Sequence, residues 1–343
     1  DEGTLMLRPL AISAGDPAGV GPVVTAAALA RALGSDRAVV YGDAAWMERA
    51  FQRYGFEASK RIKPAESEKL DPGEVGLVHV ADWPLAMVQA RAPTIAGGGA
   101  QREALEGACD ACIDGSARAI VTGPVSKEAV SLSGVSFRGQ TEHLARRAGV
   151  NVEAVTMMFL GPRLKVALVA THWPIKRVPS TVTRAHIDRT VRHLADALSR
   201  WSPDTKPLRI QVSGLNPHAG EGGLLGTEEE TIIGPTLDAL REEAPFSNGE
   251  VELIGPTPAE AAFRYAADDR AHGVVAMFHD QATIPSKLLD WGEAVNATWG
   301  LPFVRTSVDH GVAYDAAAAG YASESGMIAA IRAAQRLTGE PQE

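Results

Sequence analysis

The sequence predicts an α/β protein of two domains, and three observations carry that expectation. Short, continuously apolar runs alternate with longer segments of helical periodicity along most of the chain, as parallel strands joined by crossover helices require. A length of 343 residues exceeds what one hydrophobic core usually organises. With 45% hydrophobic and 22% charged residues, the composition leaves no stretch polar and charged enough to stay disordered.

The first strand is expected at Pro9–Ala14, followed by the glycine-rich turn GDPAGVGP (Gly15–Pro22) and the helical run VVTAAALARAL. Further strands are expected at Ala38–Tyr41, Leu77–Val80, Ala119–Thr122, Thr156–Leu160, Lys165–Ala170, Arg209–Ser213 and Gly273–Phe278. Each is brief and apolar throughout, the pattern of a strand covered on both faces. Ile187, Val191, Leu194 and Leu198 recur at helical spacing toward Trp201, with Thr183 as the cap. Another helix is expected from Thr227, where Glu230 would complete a capping box. QREALEGACDACIDGSA also reads as helix, so Cys109 and Cys112 share a face and read as buried packing residues rather than a redox pair. No internal repeat and no Ser/Pro-rich linker interrupts the pattern.

The net charge of −9 argues against a partner whose phosphates need a broad basic surface, so no nucleic-acid partner is expected. No apolar run approaches the roughly 18 residues that cross a bilayer, and no signal-like leader is present, so a cytoplasmic protein is expected. Asp1–Leu5 look foreign to a natural chain start, whereas Met6 directly precedes the first strand-like run.

Three histidines each follow a strand-like run: His172 after LKVALVAT, His218 after RIQVSGLNP and His279 after GVVAMF. Ligands of open parallel sheets bind beyond the carboxyl ends of the strands, so three imidazoles arriving there suit a divalent ion, with zinc leading. By spacing alone, hydrogen bonds at three strand ends explain them equally well. His186 and His193 read as helix-surface residues, His79 and His272 as ordinary, and His143 and His310 stay open. NPHAGEGG (Asn216–Gly223) sets Glu221 in a turn where backbone can approach a ligand. HDQATIPSK (His279–Lys287) adds Asp280, Gln281 and Lys287, and Asn296 and Arg305 follow. Lys and Arg in an acidic protein suggest a local anion site, against the plainer reading of surface ion pairs. GDPAGVGP lacks the G-x-G-x-x-G spacing of a dinucleotide fingerprint, and Asp16 would repel phosphate, so a structural or metal-side turn is expected there.

Taken in order, GDPAGVGP, TGPVSK (Thr122–Lys127), GQTEHLA (Gly139–Ala145), ATHWP, GLNPHAGEGG, FHDQATIPSK and NATWGLPFVRTSVDHG (Asn296–Gly311) resemble the 4-hydroxythreonine-4-phosphate dehydrogenase family of vitamin B6 biosynthesis. The resemblance implies two α/β/α domains flanking a cleft, of the isocitrate and isopropylmalate dehydrogenase type, in a homodimer whose active site is shared across the interface. Residues 6–127 with 306–343 would form the first domain, and 128–305 the second, carrying the metal ligands and the dimer interface. It further implies His172, His218 and His279 as ligands of zinc, or of magnesium, cobalt or manganese, one of them contributed across the interface. Gln140, Thr141, Lys287, Asn296 and Arg305 would hold the substrate. DHGVAYDAAAAGYA resembles the loop that carries the cofactor's adenosine in that superfamily, which points to Asp309, His310, Gly311 and Asp315 for NAD or NADP.

Several positions depart from the family pattern. Gln140 stands where G-H-T-E has a substrate-contacting histidine, Glu260 replaces an aspartate, and Ala282 and Ala318 replace glycines. The expected chemistry is metal-assisted oxidation of a secondary alcohol on a small anionic hydroxy acid, with loss of CO2 from the keto acid. A glutamine cannot take the proton, so Asp280 or Lys287 is the expected base or relay. The same reaction on phosphorylated threonate or erythronate, or on an aromatic cis-dihydrodiol carboxylate, is the alternative; a catalytically silent metal-binding homologue is the alternative of another class. Phosphoryl or acyl transfer finds neither a Walker lysine nor a G-x-S-x-G elbow.

Overall fold

The computed structural model describes residues 7–339, so the foreign-looking segment Asp1–Leu5 lies outside the described residues. The chain folds as two compact α/β units, one formed by residues up to Val152 together with those from Leu301 onward, the other by Glu153–Gly300.

The first unit holds β1 (Leu10–Ser13), β2 (Ala38–Gly42), β3 (Ser59–Arg61), β4 (Val75–His79) and β5 (Ala119–Thr122). After the chain returns from the second unit it adds β12 (Val304–Ser307). These strands are parallel, in the order β3-β4-β2-β1-β5-β12. Every residue of β1, β2, β5 and β12 is buried, which requires helices on both faces. The helix Ile95–Ile113 packs on β1, β2 and β5, bringing Ala104, Leu105 and Ala108 against Ala11, Val39 and Ile120. Cys109 and Cys112 belong to that same core as free thiols, and burial pushes Cys109 up to about 12, far from a reactive thiolate.

Residues 128–152, assigned by the sequence reading to the second domain, pack in this first unit. The helices Lys127–Leu132 and Gln140–Arg147 lie on Ile95–Ile113 and send Val130 and Leu144 into its core. That apolar face ties them to the preceding helix more strongly than chain continuity ties them to the strands of the second unit.

The second unit holds β6 (Thr156–Leu160), β7 (Lys165–Leu168), β8 (Leu208–Ser213), β9 (Val251–Thr257), β10 (Gly273–Ala276) and β11 (Val295–Trp299) in the order β11-β6-β7-β10-β8-β9. The β11/β6 and β6/β7 pairs are antiparallel and the rest parallel. Its core joins Phe159, Val166, Leu168 and Val274 to Ala262, Phe263 and Ala266 of the helix Ala259–Ala267. The helix Arg184–Trp201 opens on the expected cap, Thr183 Oγ1 accepting from His186 N at 3.3 Å. The expected capping box at Thr227 does not form. The segment Glu229–Ile233 is π-wound with no side-chain cap, and the Glu229 carboxylate turns back to the preceding loop. Among the described residues no helix is long and apolar enough to cross a membrane.

Candidate active site

Strands β7, β10 and β8 are neighbours in the second unit and all run parallel. Each of the three singled-out histidines follows the carboxyl end of one of them, so sequence periodicity and sheet order together bring His172, His279 and His218 to one edge. The rings of His172 and His279 stand 5.3 Å apart between centroids. Two imidazoles sharing a tetrahedral ion at 2.0–2.1 Å would hold their ring centres about 5 Å apart. His279 opens the helix His279–Leu289, and its Nδ1 meets Asp280 Oδ1 at 2.7 Å, which turns Nε2 toward any ligand. The donor chemistry fits a divalent transition ion.

Gln281 locks this edge. Its Oε1 accepts from Ser213 Oγ at 2.9 Å and Met277 N at 2.7 Å, and its Nε2 donates to Gly214 O at 2.9 Å, joining the ends of β8 and β10. His218 rides a stranger path. His218, Ala219 and Glu221 have φ of 53°, 52° and 45°, a left-handed run that side chains resist. Glu229, 4% exposed, holds it: Oε1 accepts from Leu215 N at 2.7 Å and Asn216 N at 2.8 Å, and Oε2 from Asn216 Nδ2 at 2.9 Å. Sequence reasoning missed Glu229, whose apparent place was inside a helix start.

Within one chain the three histidines do not form a set of ligand atoms all within 4.8 Å of one another; among the described residues the only such set is Asp43–His79–Asp82. Asp43 is committed elsewhere, its Oδ1 accepting from Ala45 N at 2.9 Å and Trp46 N at 3.1 Å, and its Oδ2 from Trp83 N at 2.8 Å. That set is a helix cap with two exposed neighbours.

The first unit holds a constellation of its own around Arg305. This residue sits on β12 at 3% exposure, an unusual place for a guanidinium. Nη2 donates to Thr122 Oγ1 and Gln140 Oε1, both at 3.0 Å, and Nη1 to Thr141 Oγ1 at 3.3 Å. Gln140 is fixed in turn by donating Nε2 to Gly123 O at 3.0 Å. Burial pulls Arg305 down to about 10 despite the opposing charge of Glu142, so an arriving anion would relieve a desolvated cation. Thr122, a partner here, was read as the end of a strand and the start of the TGPVSK motif, not as a site residue.

Asn296 and Lys287 belong to the second unit. Asn296 Oδ1 is buried with no hydrogen-bond partner among the described residues, as a ligand-seeking acceptor would be. Lys287 is exposed on the helix His279–Leu289. Asp309, His310, Gly311 and Asp315 are all exposed, with His310 Nδ1 at 2.9 Å from Gly311 O.

Three other histidines have partners within the fold. His143 meets Glu106 at 3.0 Å, and His186 meets Thr181 O at 2.7 Å. His193 is no surface residue but half-buried, its Nδ1 at 2.9 Å from Thr156 Oγ1.

Comparison with known proteins gives a consistent result. Residues 35–334 match the family described as "Pyridoxal phosphate biosynthetic protein PdxA". A 4-hydroxythreonine-4-phosphate dehydrogenase of Geobacter metallireducens is 40% identical over 333 residues, covering 96% of this chain and 95% of that protein. The crystal structure of a 4-hydroxythreonine-4-phosphate dehydrogenase from Burkholderia phymatum superposes with a TM-score of 0.81 at 34% identity, covering 97% of this chain and 99% of that one. A terephthalate 1,2-cis-dihydrodiol dehydrogenase from Burkholderia xenovorans is also similar, with a TM-score of 0.67 and 26% identity over 97% of this chain and 98% of the other.

Proposed function

Because this chain belongs to the family of pyridoxal phosphate biosynthetic proteins PdxA, we propose that it is a metal-dependent, NAD(P)-linked dehydrogenase of 4-phosphohydroxythreonine, oxidising the secondary alcohol to a keto acid that loses CO2. The observation that carries this reading is the buried Arg305, a desolvated guanidinium whose ring of hydroxyl and amide partners suits the anionic end of such a substrate.

His172, His218 and His279 would hold the ion, zinc being the best match to three neutral imidazoles, with magnesium, cobalt or manganese as the other candidates. When bound, the ion supplies Lewis acidity at the substrate hydroxyl, and the nicotinamide supplies the hydride acceptor. Asp280 already engages His279 Nδ1 and so sets its tautomer, which leaves Lys287 to take the alcohol proton. Thr141 and Arg305 grip the anion, Gln140 holds the guanidinium in place, and Lys287 and Asn296 belong to the same substrate-binding set by the family pattern. Asp309, His310, Gly311 and Asp315 line the loop that receives the cofactor.

A second copy of the chain completes the site. Large apolar side chains stand exposed further along the chain from each histidine: Trp173 and Ile175 after His172, Leu224 and Leu225 after His218, and Leu288 and Trp291 after His279. Together with the incomplete histidine set of one chain, they support a homodimer in which the ion is shared.

Gln140 favours a second reading, the same chemistry on another acid. Where the family pattern has a titratable histidine, this chain has a neutral side chain already engaged at both ends. The test is reduction of NAD+ and NADP+ by the metal-loaded protein, followed at the reduced-nicotinamide absorbance. The panel holds 4-phosphohydroxythreonine, phosphorylated threonate and erythronate, and carboxylated dihydrodiols. Turnover of the first supports the proposal, turnover of another alone replaces the substrate, and none at all leaves a silent homologue.

A further inference from the structure

The motif GDPAGVGP and the loop after β12 are tied together within the first unit. Asp16 is 1% exposed, and its carboxylate accepts from Ala18 N at 2.8 Å, Gln101 Nε2 at 3.0 Å and the Tyr314 hydroxyl at 2.7 Å. Gln101, fully buried, is itself pinned by accepting from Ser126 N at 2.7 Å. One turn further, Val20 N donates to Val312 O at 3.0 Å, and a Cβ at Gly19 would stand 2.6 Å from that same oxygen. The loop is therefore gripped at Val312 and again at Tyr314. Between the two grips Ala313 is held at φ 49°, a conformation that an untethered alanine would leave.

We propose that Tyr314, the first residue of the short helix Tyr314–Ala319, is a positioning residue: its hydroxyl, bonded to the buried Asp16, latches the segment Asp309–Gly320 in the conformation that receives the nicotinamide cofactor. The proposal rests on the cofactor reading given above. The latch explains an acid in a glycine-rich turn that would otherwise suit a phosphate, because Asp16 faces inward to anchor the loop instead of outward to a ligand. It also separates the two duties of the segment. Val312 and Tyr314 face the turn, while Asp309, His310, Gly311 and Asp315 remain exposed for contact. A bond to a buried carboxylate is among the stronger single tethers a loop can have.

The test is Tyr314→Phe in the full-length, metal-loaded enzyme, which removes one oxygen and keeps the ring. Amide hydrogen exchange of peptides spanning 309–320 is followed with and without NAD+ or NADP+, alongside steady-state kinetics. Exchange in this loop is expected to quicken by roughly three- to tenfold, and the cofactor concentration that restores protection, with the KM for cofactor, to rise by a similar factor. The KM for the hydroxy acid and kcat should stay within about twofold of the unaltered enzyme. Unchanged exchange in Tyr314→Phe would overturn the latch. Faster exchange with an unchanged cofactor requirement would overturn its role in cofactor binding. If neither dinucleotide protects the loop in the unaltered enzyme, the cofactor reading beneath the proposal fails, and the proposal with it.

Discussion

Replacing Glu229 by glutamine should weaken metal binding without unfolding the protein. The carboxylate accepts two backbone amides, from Leu215 at 2.7 Å and Asn216 at 2.8 Å, and the Asn216 side chain at 2.9 Å. Immediately beyond, three non-glycine residues, His218, Ala219 and Glu221, adopt left-handed φ, each at a cost of about 1–2 kcal/mol. Hydrogen bonds to a charged acceptor contribute about 1.5–3 kcal/mol each, so the carboxylate is on the right scale to hold this strained loop in place. Glutamine keeps one carbonyl oxygen for the two amides, but sets its NH2 against Asn216 Nδ2 and removes the charge. A loss of about 1–2 kcal/mol of pre-organisation lowers metal affinity roughly five- to thirtyfold. The assay is the zinc dissociation constant by competition with a chromogenic chelator, with thermal unfolding of the same samples as the control. A dissociation constant within twofold of the unaltered protein would show that the His218 loop keeps its shape without this carboxylate, and the reasoning would be refuted. Glu229→Ala is the less informative change, since it strands two buried amides and threatens the fold itself.

Arg305→Met should raise the KM for a phosphorylated substrate on the order of 100-fold, the scale of a lost charge-assisted contact, with a smaller change in the KM for cofactor; steady-state kinetics separate the two. Burial holds His143, His193 and His272 below their ordinary 6.5 in the folded state, so as pH falls below 6.5 the unfolded chain takes protons first and stability drops until the lower folded values are reached. Melting temperature should therefore fall between pH 7 and pH 5, and His193→Gln should flatten that fall; an equally steep profile in the variant would exclude His193 as a contributor. Leu288→Asp, at a side chain 79% exposed in the single chain, should convert a dimer to monomers in sedimentation equilibrium and lower metal affinity with it.

The strands legible in the sequence were those whose residues are apolar on both faces. β1, β5, β6 and β10 appear within a residue or two of their expected places because a doubly covered strand is apolar but for a terminal Ser or Thr. β3, β9, β11 and β12 were not legible, for three different reasons. β3 (Ser59–Arg61) is a short, mostly exposed edge, and β9 carries Pro256, which an edge strand tolerates and an interior strand does not. β11 and β12 hold Asn296, Arg305, Thr306 and Ser307, polar residues that pattern reading assigns to loops.

That last failure bears on the candidate residues of each unit. A strand that is buried and polar has to satisfy its side chains within the fold or leave them for a ligand, and β11 and β12 do both: Arg305 is met by Thr122, Thr141 and Gln140, while Asn296 keeps a buried acceptor unmet. The histidines were legible because each follows an apolar strand whose position is clear. The residues that aim them were not, since Glu229 and Gln281 act through backbone amides and carbonyls that no residue pattern records. Asp16 is the instructive case between these. Its identity excluded a phosphate, but only the partner at Tyr314, 298 residues away in the chain, shows what the carboxylate does instead. An acid that breaks an expected phosphate turn is thus grounds to look for a distant donor, and here that donor lies on the loop the cofactor is expected to need.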